Sequence, residues 1–172
     1  KLENHQVTGS FKIRGAFNKI LKNLDRAIER GVVTASTGNH GLAVAYASKT
    51  FNVKSKIVVP NNISEVKLSK IKQFGCEIVF HGKDYDEAEE YAREIAKQEH
   101  ILYISPYNDL DIIEANATIA LETFMDNPDI DVFIVPVGGG GLISGIAFFS
   151  KQVSKDIEIV GVQSENSPAM YE

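Results

Sequence analysis

Hydrophobic and polar positions along this 172-residue chain alternate between two periods. Short β-branched runs at residues 31–35, 56–59, 77–80, 101–104, 132–137 and 157–162 predict strands. Between them the spacing widens to that of a helix. Ile13, Ala16, Phe17, Ile20, Leu21 and Leu24 follow i, i+3, i+4, i+7, i+8 and predict one apolar stripe. Ala88, Tyr91, Ala92, Ile95 and Ala96 predict a second, and Ile113, Ala117, Ala120, Leu121 and Phe124 a third. Shorter helices are predicted over 39–49, over 65–74 before Gly75, and over 142–149. This alternation predicts an α/β fold of parallel sheets flanked by helices. Ligands of such sheets gather beyond the carboxyl ends of the strands.

Two predicted strand ends carry unusual residues. After the run 132–137 come Gly138, Gly139, Gly140 and Gly141, followed by Leu142 and the predicted helix. Glycine loses the most backbone freedom on folding, so a run of four marks a tight turn or a close approach to a ligand. Strand, glycine loop and helix start together make an anion site, usually for phosphate, the alternative being a flexible linker. The run is not the dinucleotide fingerprint, which would need glycine at Ile143 or Ser144, and no P-loop lysine follows it.

The second strand end is Ser36-Thr37-Gly38-Asn39-His40-Gly41. A helix start bearing two hydroxyls, an amide and an imidazole suits a carboxylate, although one such residue alone would be an ordinary N-cap. A third candidate is Lys12, at the predicted start of the first helix, where an ammonium opposes the helix dipole. Partial burial between Phe11 and Ile13 would lower its pKa and make the neutral amine a nucleophile. The alternative is a solvated surface lysine.

Composition narrows the field. With 44% hydrophobic and 24% charged residues the chain reads as an ordinary globular protein. The net charge of −5 gives no reason to expect nucleic acid. The lone Cys76 suits a reducing compartment, and no run is long enough to cross a bilayer, so the expected location is cytoplasmic, without a membrane partner. The four histidines and one cysteine lack metal-ligand spacing.

Taken together, the motifs identify a family. Lys1-Leu2-Glu3-Asn4 leading to Thr8-Gly9-Ser10-Phe11-Lys12-Ile13-Arg14-Gly15-Ala16 resembles the pyridoxal-phosphate (PLP) lysine motif of threonine dehydratases and serine racemases. Ser36–Gly41 resembles their substrate-carboxylate loop, and residues 135–145 their phosphate loop. The resemblance implies a two-domain fold-type II PLP enzyme. Residues 1–33 and 112–172 would belong to the large, PLP-binding domain and 34–111 to the small one. Lys12 would form the Schiff base with PLP and remove the α-proton, with Phe11 against the pyridine ring. Asn39 would bond the phenolic oxygen, and Gly138, Gly139, Gly140, Gly141 and Leu142 would hold the phosphate. Ser36, Thr37, Gly38, Asn39 and His40 would line the site of a small amino-acid substrate. The implied reaction is β-elimination of L-threonine or L-serine to a 2-oxo acid and ammonia. The implied assembly is a homo-oligomer, dimer or tetramer.

Departures from the pattern leave alternatives open. Ala115-Asn116-Ala117 replaces the usual Gly-Gln-Gly, which predicts a different local backbone. Thr37 stands where serine racemases carry a second serine as acid/base, so it is a catalytic candidate and racemization an alternative activity. Gln163 and Ala169 replace the racemase's acidic cation ligands, so no metal site is expected. Residues 161–166 instead resemble catabolic threonine dehydratases. Synthases of this fold commonly have threonine at the position of His40. A non-catalytic phosphate-binding module and a nucleotide-binding regulatory domain are the remaining alternatives. The chain reads as truncated at both ends, with the partner of the pyridine nitrogen expected beyond residue 172.

Overall fold

The structure, a computed structural model, describes every residue except Ser167, Ala169 and Glu172. The expectation placed on Ala169 therefore lies outside the described residues. The chain divides into two compact units, Leu2–Ser105 and Pro106–Glu172, with Lys1 joining the second. The domain division implied by the resemblance differs from this one at residues 2–33 and 106–111.

The first unit opens with a 3₁₀ turn, Glu3–His5, then α1 (Lys12–Lys22) and α2 (Leu24–Arg30). There follow β1 (Val32–Ala35), α3 (Asn39–Thr50), β2 (Ser55–Val59), α4 (Glu65–Lys72), β3 (Glu77–Phe80), α5 (Tyr85–Gln98) and β4 (Leu102–Tyr103). The strands form one parallel sheet in the order β3-β2-β1-β4. Its centre, β1, is buried at every position, as a parallel strand covered on both faces must be. Ala88, Ala92 and Ile95 of α5 close a core with Val33, Ala35 and Val58. Elsewhere Phe17 of α1 meets Tyr46 of α3 and Phe51, with ring centroids 6.0 and 5.1 Å apart.

The predicted stripe from Ile13 to Leu24 is two helices. Asn23, φ −127°, ends α1 and leads into α2, and Leu21 remains exposed. Gly31, φ +89°, turns the chain from α2 into β1, where a Cβ would lie 2.9 Å from the Lys54 carbonyl oxygen. Before α1, Arg14 grips Glu3 through Nε and one terminal nitrogen at 2.8 and 2.9 Å. That fork ties the 3₁₀ turn to the helix that begins at Lys12.

The second unit contains α6 (Leu110–Asp126), β5 (Val132–Pro136), α7 (Gly141–Val153) and β6 (Glu158–Val162). Strands β5 and β6 pair in parallel. Within α6 the buried face carries Ile112, Ala115, Asn116, Ile119 and Ala120. Of the predicted stripe only Ala120 is fully covered. Ile113, Ala117 and Leu121 instead line an apolar groove of about 440 Å³ with Phe148 and Phe149. Small residues explain the rotation, because α7 presses Gly145 onto the α6 backbone. A Cβ there would meet the Ile113 carbonyl oxygen, and would lie 2.8 Å from the Ala117 nitrogen. The helix runs unbroken through Ala115–Ala117, so the expected local departure is a change of side chain within regular backbone.

Gly145→Ala is expected to lower stability by about 1–3 kcal/mol, the usual scale of overpacking. Denaturant unfolding of the full-length protein measures it, and an unmoved midpoint would mean the two helices separate freely.

Candidate functional site

In the first unit the chemistry collects at the starts of α1 and α3. Lys12 is the first residue of α1, half-buried, with its Nζ 5.1 Å from the Phe11 ring centroid. Burial lowers its pKa from 10.5 to about 8, because the ammonium loses hydration. A substantial share of the amine is therefore neutral at physiological pH. Thr8 Oγ1 and Ser10 Oγ, just before it, are buried without a protein hydrogen-bond partner among the described residues.

The carboxylate-loop candidates divide by exposure. Ser36, His40 and Gly41 are buried, Gly38 and Asn39 exposed, and Thr37 between. Gly38 is the N-cap of α3 and no side chain caps the helix, which an ordinary capping residue would have done. Ser36 Oγ instead accepts a hydrogen bond from the Gly38 N–H at 3.1 Å. The N–H groups of Asn39, His40 and Gly41 thus open the helix without ladder partners. A Cβ on Gly41 would lie 3.0 Å from the Ser36 carbonyl oxygen, so glycine lets the first turn sit tightly against the loop.

His40 is turned inward. Its Nε2 stands 3.1 Å from the Ile104 carbonyl oxygen, to which Thr34 Oγ1 also donates at 2.7 Å. A carbonyl only accepts, so Nε2 carries the hydrogen. Burial, then the Lys12 charge, pushes the imidazole pKa down to about 3. The ring is neutral, and what His40 offers at the helix start is its backbone N–H.

In the second unit the four glycines have separate causes. At Gly138 a Cβ would meet nothing within 4 Å. At Gly139 it would enter the Tyr107 ring, 2.5 Å from Cδ1, and at Gly141 it would lie 2.6 Å from the Tyr107 carbonyl oxygen. Gly140 has φ +84° and is the N-cap of α7, again with no side-chain cap. Behind the loop, buried Asn116 donates from Nδ2 to the Gly141 carbonyl at 3.1 Å. Leu142 is the second residue of α7 and half-buried. The loop is thus a backbone cradle at an open helix start, a geometry that suits an anion.

Four participants escaped sequence reasoning: Thr34, Ile104, Tyr107 and Asn116. Tyr107 follows the end of β4, a position the strand-end rule could have flagged. Asn116 was visible only as a departure from a pattern.

Residues 1–172 match the family of pyridoxal-phosphate dependent enzymes, and the chain belongs to it. It is 43% identical over 170 residues to the L-threonine ammonia-lyase of Thermotoga maritima, covering 99% of this chain and 42% of that protein. The processed form of threonine deaminase isoform 2 from Solanum lycopersicum superposes with a TM-score of 0.93 at 38% identity, covering 99% of this chain and 50% of that one. For maize serine racemase the values are 0.88, 37%, 94% and 49%. The α/β architecture is that of fold-type II PLP enzymes, and the chain spans about half the length of these relatives.

The cofactor of this family fits the residues present. The first unit supplies a desolvated amine with two orphaned hydroxyls beside it, and the second a glycine cradle whose backbone a Cβ would obstruct. Among the described residues no His, Cys, Asp or Glu cluster could hold a metal ion.

Two outcomes are expected. Because Lys12 titrates near 8 when folded and near 10.5 when unfolded, the unfolded chain binds more protons between those values and stability rises with pH across that window. In cofactor-free protein Lys12→Met should stabilise below pH 8, and the advantage should vanish as pH reaches 10.5. A gap independent of pH would show a fully hydrated amine. Separately, Gly140→Asp should weaken PLP binding by roughly tenfold or more, through repulsion of phosphate at the helix start. Gly140→Asn, which tolerates positive φ without the charge, should bind better than Gly140→Asp, and equal loss in both would assign the effect to backbone strain.

Proposed function

We propose that this chain carries the lysine, carboxylate loop and phosphate loop of a PLP-dependent ammonia-lyase acting on L-threonine and L-serine, releasing a 2-oxo acid and ammonia. The observation that carries the reading is the half-buried Lys12, its pKa lowered to about 8 at the head of α1. The relatives named as threonine ammonia-lyase and threonine deaminase support it.

When bound, PLP supplies an electron sink for charge developing at the substrate Cα. Lys12 would hold the cofactor, and its Nζ would take the α-proton of the substrate. A pKa near the working pH suits it to both accepting and returning that proton. Phe11 would pack against the pyridine ring and Asn39 would bond the phenolic oxygen. The substrate carboxylate is held at the start of α3 by Ser36, Thr37, Gly38, Asn39 and the N–H of His40, where the helix dipole favours negative charge. Gly138–Gly141 and Leu142 would hold the phosphate. In the whole protein, residues 1–33 and 112–172 form part of the large domain and 34–111 the small one. That protein is a cytoplasmic homo-oligomer.

Serine racemization is the second reading. It is favoured by the half-exposed Thr37 hydroxyl at the head of α3 and by the likeness to maize serine racemase. A racemase needs Thr37 to move a proton on the face opposite Lys12, a role commonly worth about 10²–10⁴-fold. In the ammonia-lyase it only shapes the loop.

Borohydride trapping of the PLP-loaded full-length protein should label Lys12, and a label on Lys19 or Lys22 instead would refute the assignment. With L-serine, keto acid should form faster than D-serine, and Thr37→Ala should keep most of the elimination. D-serine as main product, lost selectively in Thr37→Ala, would decide for the racemase.

A further inference from the structure

We propose that Asn116 is the positioning residue of the glycine loop, holding the Gly141 carbonyl so that the N–H of Leu142 faces the bound phosphate. The inference rests on the reading that this loop binds the phosphate of PLP.

Three features of the second unit carry it. Asn116 is 2% exposed, which is rare for an amide side chain unless it is committed to a partner. That partner is the Gly141 carbonyl, 3.1 Å from Nδ2, the first carbonyl of α7. In a trans peptide the C=O and the following N–H lie in one plane and point in opposite directions. Fixing the Gly141 oxygen on the α6 side therefore fixes the Leu142 N–H on the other. The second feature is the helix crossing, where a Cβ on Gly145 would lie 3.0 Å from the Asn116 carbonyl carbon. Backbone contact one turn into α7 sets its depth, and the Asn116 amide sets the tilt of its first peptide. The third is the lack of a side-chain cap on α7, so its N-terminal N–H groups remain available to a ligand. Tyr107 limits the loop beneath Gly139 and Gly141, leaving the Gly141–Leu142 peptide to be oriented from behind.

The test uses full-length protein with Asn116→Ala, which deletes the donor, and Asn116→Leu, which fills the same space without one. PLP affinity is measured by titration and the bound phosphate by its ³¹P resonance. Both variants should bind PLP at least tenfold more weakly, the scale of one lost buried hydrogen bond. The phosphorus resonance should shift from its wild-type position. Affinity within twofold of wild type in both variants would overturn the proposal. So would weakened affinity with an unmoved phosphorus resonance, which would mean lost stability and unchanged loop geometry. A wild-type protein that binds no PLP would refute the underlying reading instead, and titration of the same variants with inorganic phosphate would then decide the role of Asn116.

Discussion

The first N–H groups of a helix have no partners within it, and both α3 and α7 keep theirs uncapped. The ordinary remedy is a Ser, Thr, Asp or Asn acceptor at the N-cap, worth about 0.5–2 kcal/mol. At both helices that position is glycine. Local structure is arranged around the omission. Ser36 turns its hydroxyl back to the Gly38 N–H, and Gly41 lets the first turn of α3 close on Ser36. Tyr107 and Asn116 bracket the start of α7. In the proposed function, stability forgone at a cap becomes binding energy for an anion, since the same N–H groups and helix dipole serve either partner.

The packing beneath these helix starts is a matter of contact distance. β1, buried on both faces, delivers the loop that leads to α3, and β5 delivers the glycines, with Val135 as its buried residue. Gly145 brings the α6 and α7 backbones together, allowing a side chain as short as asparagine to reach the glycine loop. An added methyl group at that crossing and a lost amide at Asn116 therefore act on the same peptide by different routes.

Much of this was legible in the sequence, for physical reasons. β3 matches its predicted span, since a short β-branched run has few alternatives. The helix starts after β1 and β5 were readable because glycine is costly where nothing requires it. Periodicity failed where small residues decide the contact. In α6 the large side chains at Ile113, Leu121 and Phe124 drew the predicted stripe, whereas the buried face carries Ile112, Ala115, Asn116, Ile119 and Ala120, and Gly145 meets the backbone at Ile113, Asn116 and Ala117. The break at Asn23 was hidden because the apolar spacing continues through it into α2. Tyr107 and the Thr34–Ile104–His40 network depend on contacts distant in sequence, which no local pattern encodes.

The charges of the first unit close the argument. Lys12 and His40 are two bases whose charges disfavour each other, in a chain whose net charge is −5. Burial resolves the conflict in unequal measure. The imidazole is held neutral throughout the physiological range, while the amine is left near its titration point. Desolvation is the largest cause at both, and at His40 the hydrogen bond to Ile104 pulls the other way. The Ile104 carbonyl fixes the Nε2–H tautomer of the neutral His40 ring. Attraction for anions at the start of α3 then comes from backbone N–H groups, which do not titrate. In the proposed function, reactivity belongs to Lys12, which does. In the proposed ammonia-lyase, separating the two lets substrate be held at a pH where the amine can change its protonation state.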